Sequence, residues 1–224
     1  MNRLLQGLVV LAVLVGVLQW FVPRWAARAL AGAMAPYEGG RPPAVTITAV
    51  PFWELASGHF QDLAVRMHSV TVNGLDIAAI QLHWFDGGLN LAALAKGRVV
   101  VTRPGRFMMT VELTNHNLSS LLLREKAFTD PTVTVTSGGI DVKGSLTLGN
   151  EVVPLNAVGA ITESPNHEAL IYHPERIDGL RLPLLTNVQL LNLDTVTLPL
   201  PLYIQHVALT PGQLVLTMAN HGGQ

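Results

Sequence analysis

The chain has 224 residues, 49% of them apolar and only 13% charged, with a formal net charge of −1. Ordinary soluble domains carry about 25% charged residues, so either much of this chain meets lipid or its surface relies on Thr, Asn, Gln and Ser. The near-zero net charge leaves no electrostatic case for nucleic acid, and the lack of cysteine excludes a disulfide framework, a thiolate nucleophile and any Cys-ligated metal.

Met1-Asn2-Arg3 is a short positive lead into Leu4 to Val22, an apolar run interrupted only by Gln6, Gly7, Gly16 and Gln19. As a helix it spans roughly 28 Å at ~1.5 Å per residue, close to a bilayer's apolar thickness of ~30 Å. Trp20, Phe21 and Trp25 stand at its exit, where amphipathic rings favour a membrane interface. A cleaved signal peptide has a shorter apolar core with small residues just after it. Here the exit reads Trp-Phe-Val-Pro-Arg-Trp, and Ala31-Gly32-Ala33 comes only later. Residues 1–22 are therefore read as a signal anchor, with a signal peptide and a buried helix as alternatives. The anchor puts the chain in the cytoplasmic membrane as a single pass, through residues 4–22, with the rest on the extracytoplasmic side.

Residues 23–43 read as a neck. Pro23 permits a new helix start, and Arg24 to Met34 is Ala-rich, with no acidic residue before Glu38. This segment either lies along an anionic lipid surface or packs on a sheet. Gly39-Gly40-Arg41-Pro42-Pro43 marks the boundary of a folded domain over 44–220, with 221–224 a tail.

The domain opens on an alternating strand, with Val45, Ile47 and Ala49 on one face and Thr46 and Thr48 on the other. Pro51 stops it, and Phe52 to Gly58 reads as a bulky apolar turn. Asp62 to His68 is a second strand with Leu63, Val65 and Met67 on one face. Leu75 to Trp84 is a third, after the hairpin pair Asn73-Gly74. Phe85-Asp86-Gly87-Gly88 reads as a turn, and Leu89 to Leu94 fits a strand or a helix. Arg98 to Thr102 is a strand whose Val99-Val100-Val101 run allows cover on both faces. Arg106 to Leu113 alternates, with Phe107, Met109, Val111 and Leu113 on one face. Leu118, Leu121, Leu122 and Glu125 then fall at i, i+3, i+4 and i+7. That is a helical stripe, capped by Thr114 or Asn115 and closed by Arg124 and Lys126.

Asp130-Pro131 ends the helical region. Strands follow over Thr132–Thr136, with Val133 and Val135 inward, and over Ile140–Leu148, where Gly144 allows a bulge. Val152–Ile161 and Glu168–His173 continue the series. Leu180–Leu185 is a short apolar segment, and a last hairpin joins Tyr203–Leu209 to Gln213–Ala219 about Pro211-Gly212, with Leu214, Leu216 and Met218 inward. Strands at such short intervals, with no helical crossovers, argue an antiparallel sheet.

The chain is poor in catalytic patterns. None of its 8 histidines falls in an H-E-x-x-H or at i, i+4 on a helix. It has no G-x-S-x-G elbow and no Gly-rich phosphate loop after a strand. Glu54 and Asp62 flank the apolar turn, and a solvated pair explains them more simply than acid–base work. The reading is a non-enzymatic chain without metal or cofactor. What remains is surplus apolar surface. Core packing explains each bulky residue singly, but Phe107-Met108-Met109 puts apolar side chains on both faces of one strand. Met is adaptable enough to suit flexible ligands.

Several pieces carry a family resemblance. Val45-Thr46-Ile47 runs into Pro51-Phe52, then Ser57-Gly58-His59-Phe60, a strand and a hairpin. Thr114, Leu118, Leu121 and Leu122 follow in mid-domain, and Leu198-Pro199-Leu200-Pro201-Leu202 precedes the last hairpin. In order and spacing this resembles the LmeA-like phospholipid-binding family of bacterial envelope proteins. The resemblance implies a fold similar to tubular lipid-binding modules: α+β and mainly β, a strongly twisted antiparallel sheet wrapped around one or two helices and an apolar cavity. It also implies a phospholipid ligand, held, presented or passed on without covalent chemistry.

On that expectation the acyl chains meet Val45, Ile47, Phe52 and Trp53 from the opening, and Leu63, Val65, Met67 and Trp84 from the next strands. Phe107, Met109 and Val111 with Leu118 and Leu122 of the helix complete the lining. Arg66, Arg98 and Arg106 are the headgroup candidates at a rim. Each buried methylene contributes ~0.8 kcal/mol, so ten carbons bring roughly 8 kcal/mol before association costs. The rival reading is a membrane-anchored interaction domain docking an envelope protein through an apolar face. An esterase ranks behind both for want of a nucleophile.

Overall fold

A computed structural model describes residues 2–72, 75–123, 128–148, 151–177, 187–193 and 201–220; the side chains of 2–12, 128, 146–148, 151 and 188 lie outside that description. The order opens with α1 (Asn2–Met34), a 3-10 turn (Ala35–Glu38), β1 (Ala44–Thr48), α2 (Phe52–Ala56), β2 (His59–Val72) and β3 (Leu75–Leu89). It continues with α3 (Leu91–Leu94), β4 (Val101–Arg103), β5 (Arg106–Thr114) and α4 (Asn115–Leu123). Then come β6 (Phe128–Thr136), β7 (Gly139–Leu148), β8 (Glu151–Glu163), β9 (Ala169–Ile177), β10 (Val188–Asn192), β11 (Tyr203–Thr210) and β12 (Gln213–Ala219).

The protein is mainly β. One sheet has 7 strands in the order β1-β2-β3-β5-β12-β11 with β4 on β3, and the other has 5 in the order β10-β9-β8-β7-β6. The strand registers resolved in both sheets are antiparallel, as the short strand spacing predicts. Contacts divide the chain into two compact units: Met1–Arg66 with Leu82–Phe107, and Met67–Gln81 with Met108–Gln224.

In the first unit α1 runs unbroken through Pro23, which corrects the expected restart there. Proline removes a backbone donor inside a helix. Just past it, Arg24 Nη1 donates to the Trp20 carbonyl at 3.1 Å, and its guanidinium lies 4.1 Å above the Trp20 ring. Ala26, Leu30 and Ala31 are buried where α1 meets β1, α2 and α3. Residues 24–34 therefore pack on the folded unit, the second of the two expectations for the neck. Upstream, Val13, Leu14, Val17, Trp20 and Phe21 are exposed. Among the described residues no helix is long and apolar enough to cross a membrane; the side chains of 4–12, much of the expected anchor, lie outside that description.

Two glutamines hold the segment after β1. Gln19 donates to the Ala49 carbonyl and accepts from the Phe52 N–H, both at 2.7 Å. Gln61 accepts from Val50 N–H at 3.1 Å and donates to the Val50 carbonyl at 2.5 Å. What the sequence suggests as a bulky apolar turn contains the one-turn helix α2, with Leu55 buried in it.

Phe85-Asp86-Gly87-Gly88 is not a turn: β3 continues through it. The glycines serve close approach instead. A Cβ on Gly87 would stand 2.4 Å from Trp84 Nε1 and 2.5 Å from Phe60 Cζ, and one on Gly88 would stand 2.7 Å from Thr102 Oγ1. The space they leave admits an aromatic core. Phe60 and Trp84 meet edge to face at 4.9 Å, Trp84 and Phe107 at 5.9 Å, and Trp84 Nε1 donates to the Pro104 carbonyl at 2.6 Å. Such pairs add to plain area burial. Of Leu89–Leu94, Leu89 ends β3 and Leu91–Leu94 form the short helix α3, capped by Asn90 Oδ1 accepting from Ala93 N–H at 3.0 Å. Val99 and Val100 precede β4 and are exposed, so the expected cover on both faces is absent there.

In the second unit the five-stranded sheet follows the chain backwards from β10 to β6. β6 (Phe128–Thr136) runs through Asp130-Pro131, so strand has already begun at the pair expected to end the helical region. The register shifts between Thr129 and Thr132. Gly144 faces that bulge: a Cβ there would meet Pro131 Cα and Thr129 O at 3.1 Å. Val133 and Val135 are buried, as their alternation predicts. The β11–β12 hairpin buries Leu214, Leu216 and Met218, and β12 pairs with β5 from Thr114 to Met108. β10 has no counterpart among the sequence expectations. Asn73-Gly74, Arg124, Glu125, Lys126, Leu180–Leu185 and Leu198–Leu200 lie outside the described residues.

Candidate lipid-binding site

The site is built from α4 upward. Thr114 and Asn117 cap the helix reciprocally: Asn117 Oδ1 accepts from Thr114 N–H at 2.9 Å and from its hydroxyl at 2.7 Å, while Thr114 Oγ1 accepts from Asn117 N–H at 3.4 Å. This is the logic of a capping box with Asn at its third position. Asn115, the other cap candidate, does something different. Its Oδ1 accepts from Val135 N–H at 2.9 Å, and Ser119 Oγ, one turn on, accepts from Val133 N–H at 2.8 Å. β6 is an edge strand, so α4 covers donors that an open edge would expose. The turn of the last hairpin joins the same edge through Gly212 N–H to Val135 O at 2.9 Å.

Held this way, α4 turns Leu118, Leu121 and Leu122 onto the sheet. Together with Val133, Ile140, Val142, Tyr172 and Leu190 they line an apolar depression of about 260 Å³, counting its open mouth. Most of that volume is open to solvent, and the enclosed part has room for about one water; the depression is a shallow groove, and the chain-sized cavity that the resemblance implies is not seen among the described residues.

Among the described residues Tyr172 is the one polar residue in the wall. The residue is 5% exposed, and its hydroxyl has no hydrogen-bond partner among the described residues. Burial pushes the phenol above its usual range, and the Asp141 and Glu175 carboxylates push it the same way. The hydroxyl therefore keeps its proton at neutral pH and remains a donor.

Of the residues expected to line a lipid site, Leu118 and Leu122 line this depression. In the second unit Met67 and Val111 are buried and Met109 is half-buried. In the first unit Ile47, Leu63, Val65, Trp84 and Phe107 are buried, Val45 and Phe52 are half-buried, and Trp53 is exposed. Arg66 lies on β2 opposite Ala44. Arg98 follows α3, and Arg106 opens β5 with its guanidinium 5.4 Å from the Phe85 ring. Among the described residues no arginine lines the depression. The residues not anticipated as ligand contacts are Leu121, Val133, Ile140, Val142, Tyr172 and Leu190. Alternation marks the valines as inward, but nothing in a sequence says that a tyrosine hydroxyl lacks a partner.

A polar array lies on β8 and β9. Thr162 Oγ1 is 2.7 Å from His173 Nε2, and His173 Nδ1 is 2.8 Å from Asn187 Oδ1. Thr162 and Asn187 are exposed, and the three form a cross-strand surface network. Glu54 pairs with His59 Nδ1 at 2.8 Å. Among the described residues no group of His, Asp or Glu is placed to hold a metal ion.

The sequence profile of the LmeA-like phospholipid-binding family matches residues 16–219. The match covers nearly the whole chain, and the protein belongs to that family. No curated protein and no solved structure matches it.

Proposed function

We propose that the chain binds phospholipid through an acyl chain seated in the depression beneath α4, without covalent chemistry. It holds or hands on that lipid at the cell envelope while tethered to the cytoplasmic membrane through residues 4–22, with the folded units on the extracytoplasmic side. The observation that carries the reading is the match to the phospholipid-binding family over residues 16–219; the shallow aliphatic groove beneath α4 supports where a chain would lie. At ~0.8 kcal/mol per methylene a partial seat contributes several kcal/mol, and association costs then favour exchange over permanent holding. Exposed Val13, Leu14, Val17, Trp20 and Phe21 on α1 support the tether.

The test is photocrosslinking. The full chain is reconstituted into phosphatidylcholine and phosphatidylglycerol vesicles containing a phosphatidylglycerol with a diazirine on one acyl chain. Adducts on α4, β6 and β7, beyond those on residues 4–22, are expected. Adducts confined to α1 would contradict a lipid seat in the folded part.

A further inference from the structure

The near-zero charge of the chain is a cancellation. The first unit holds nine Lys and Arg against four Asp and Glu, a balance of +5, and the second holds five against eleven, a balance of −6. Four of the first unit's cations, Lys96, Arg98, Arg103 and Arg106, fall between Asp86 and Glu112 with no acid among them. Among the described residues none of the four pairs with a carboxylate. Glu54, the acid of α2, is taken by His59.

Hydrogen bonds fix where this stretch lies. Leu89 N–H donates to the Gly58 carbonyl at 2.7 Å, and Asn90 N–H to the Val100 carbonyl at 2.9 Å. Leu89 stands opposite Val101 in the β3–β4 ladder. Val99 and Val100 therefore lie past the end of the sheet where β3 stops and β2 starts, the end that carries α2. Gln19 of α1 is joined to that same end through the Phe52 N–H at 2.7 Å. Lys96, Arg98, Val99, Val100 and Arg103 are all exposed. Apolar side chains held among unpaired cations match the headgroup layer of an anionic bilayer, where valine meets the acyl boundary and the cations meet phosphates.

We propose that the first unit docks on an anionic bilayer surface through the Lys96–Arg103 stretch, with Val99 and Val100 in the headgroup layer and Lys96, Arg98 and Arg103 on lipid phosphates. Such a surface attracts this unit and repels the acidic one. The contact is with the membrane surface, not with a lipid beneath α4, so it stands apart from the acyl-chain reading.

The chain has no cysteine, so Val100→Cys takes a single environment-sensitive fluorophore. Ala44→Cys, opposite Arg66 at the far end of the β1–β2 ladder, is the reference. The labelled full chain is reconstituted with vesicles of phosphatidylcholine alone or of phosphatidylcholine with phosphatidylglycerol, and flotation reports membrane association. Emission at position 100 is expected to shift blue on the phosphatidylglycerol vesicles only and to return in high salt. Position 44 is expected to stay near its aqueous value on both. Each cation at such a surface is worth about fivefold in contact, so Lys96→Gln and Arg98→Gln should each lower the ratio of docked to free loop by that factor. Circular dichroism reports that these variants are folded. A chain that floats on both compositions with no shift at position 100 overturns the docking and leaves the tether standing; a patch that meets an acidic protein gives this result. An equal shift on both compositions, or one that survives the two substitutions together, overturns the anionic contact. A shift and flotation on phosphatidylglycerol vesicles alone support the docking and overturn the tether, and flotation on neither overturns both.

Discussion

Gln19 and Ala49 are joined by a 2.7 Å hydrogen bond from the Gln19 amide to the Ala49 carbonyl, while the amide oxygen takes the Phe52 N–H at the same distance. In the sequence Gln19 looks like a flaw in an apolar run. In the fold it joins α1 to the first unit at the point where β1 gives way to α2. Gln19→Leu keeps the helix apolar and strands two part-buried backbone groups, at about 1–3 kcal/mol. Thermal unfolding by circular dichroism is expected to shift down, with faster hydrogen exchange at Phe52. An unchanged midpoint would mean that the joint contributes nothing.

The joint also sets a depth. If residues 4–22 enter a bilayer, Gln19 lies near the outer end of that span, and its two bonds hold Val50 to Trp53 at the same level. Val50 is 57% exposed and Trp53 55%, bulky apolar side chains suited to an interface. The chain has no cysteine, so Trp53→Cys can carry an environment-sensitive fluorophore. Its emission is expected to shift blue on vesicles. The same label at Arg66→Cys, at the other end of the β1–β2 ladder, is expected to stay near its aqueous value. No shift at position 53 would count against membrane contact by this turn.

The helix-covered edge gives a third expectation. Asn115→Ala and Ser119→Ala each free one β6 N–H, at about 1 kcal/mol. Deuterium uptake should rise at Val135 in the first variant and at Val133 in the second. Both should also lower lipid capture, because they loosen the helix that roofs the depression. Thr162→Ala, on the exposed face of β8, should leave capture unchanged. If it lowers capture as much as the α4 variants, the site is misplaced.

Tyr172 links stability to pH. Its folded pKa is raised, chiefly by burial, above the ordinary ~10 of an unfolded tyrosine. Between those two values the unfolded chain has lost a proton that the folded chain keeps. Stability is therefore full below about pH 10 and falls as pH rises toward the folded value. Tyr172→Phe should remove that part of the alkaline loss. At neutral pH the variant should be as stable as wild type or slightly more so, since it deletes a buried hydroxyl that has no partner among the described residues. Melting curves at pH 8 and pH 11 decide it: parallel losses in both proteins would contradict the link.

Periodicity made the strands legible, with Val133 and Val135 inward and Leu214, Leu216 and Met218 buried. It failed where a glycine or proline has a tertiary reason. Gly87 and Gly88 read as a turn because local rules see only a missing Cβ, whereas the deciding neighbours are Phe60, Trp84 and Thr102. Asp130-Pro131 reads as the end of the helical region because local rules see only the proline, whereas the strand passes through it on a bulge that faces Gly144 on the next strand. Pro23 read as a start, yet α1 carries on where Ala26, Leu30 and Ala31 bury themselves against the unit. The site was half legible. The leucine stripe of α4 could be read from spacing. The opposing wall comes from three strands and from β10, which no local pattern announced.

The central claim is that one phospholipid occupies each chain, and native mass spectrometry of the full chain released from detergent reads it directly. The account predicts a species one phospholipid heavier than the bare chain, whose ligand fragments as a diacyl lipid and whose fraction drops when Leu122→Trp fills the seat. A spectrum holding only bare chain, or a lipid-bound fraction indifferent to Leu122→Trp in a folded protein, would contradict it.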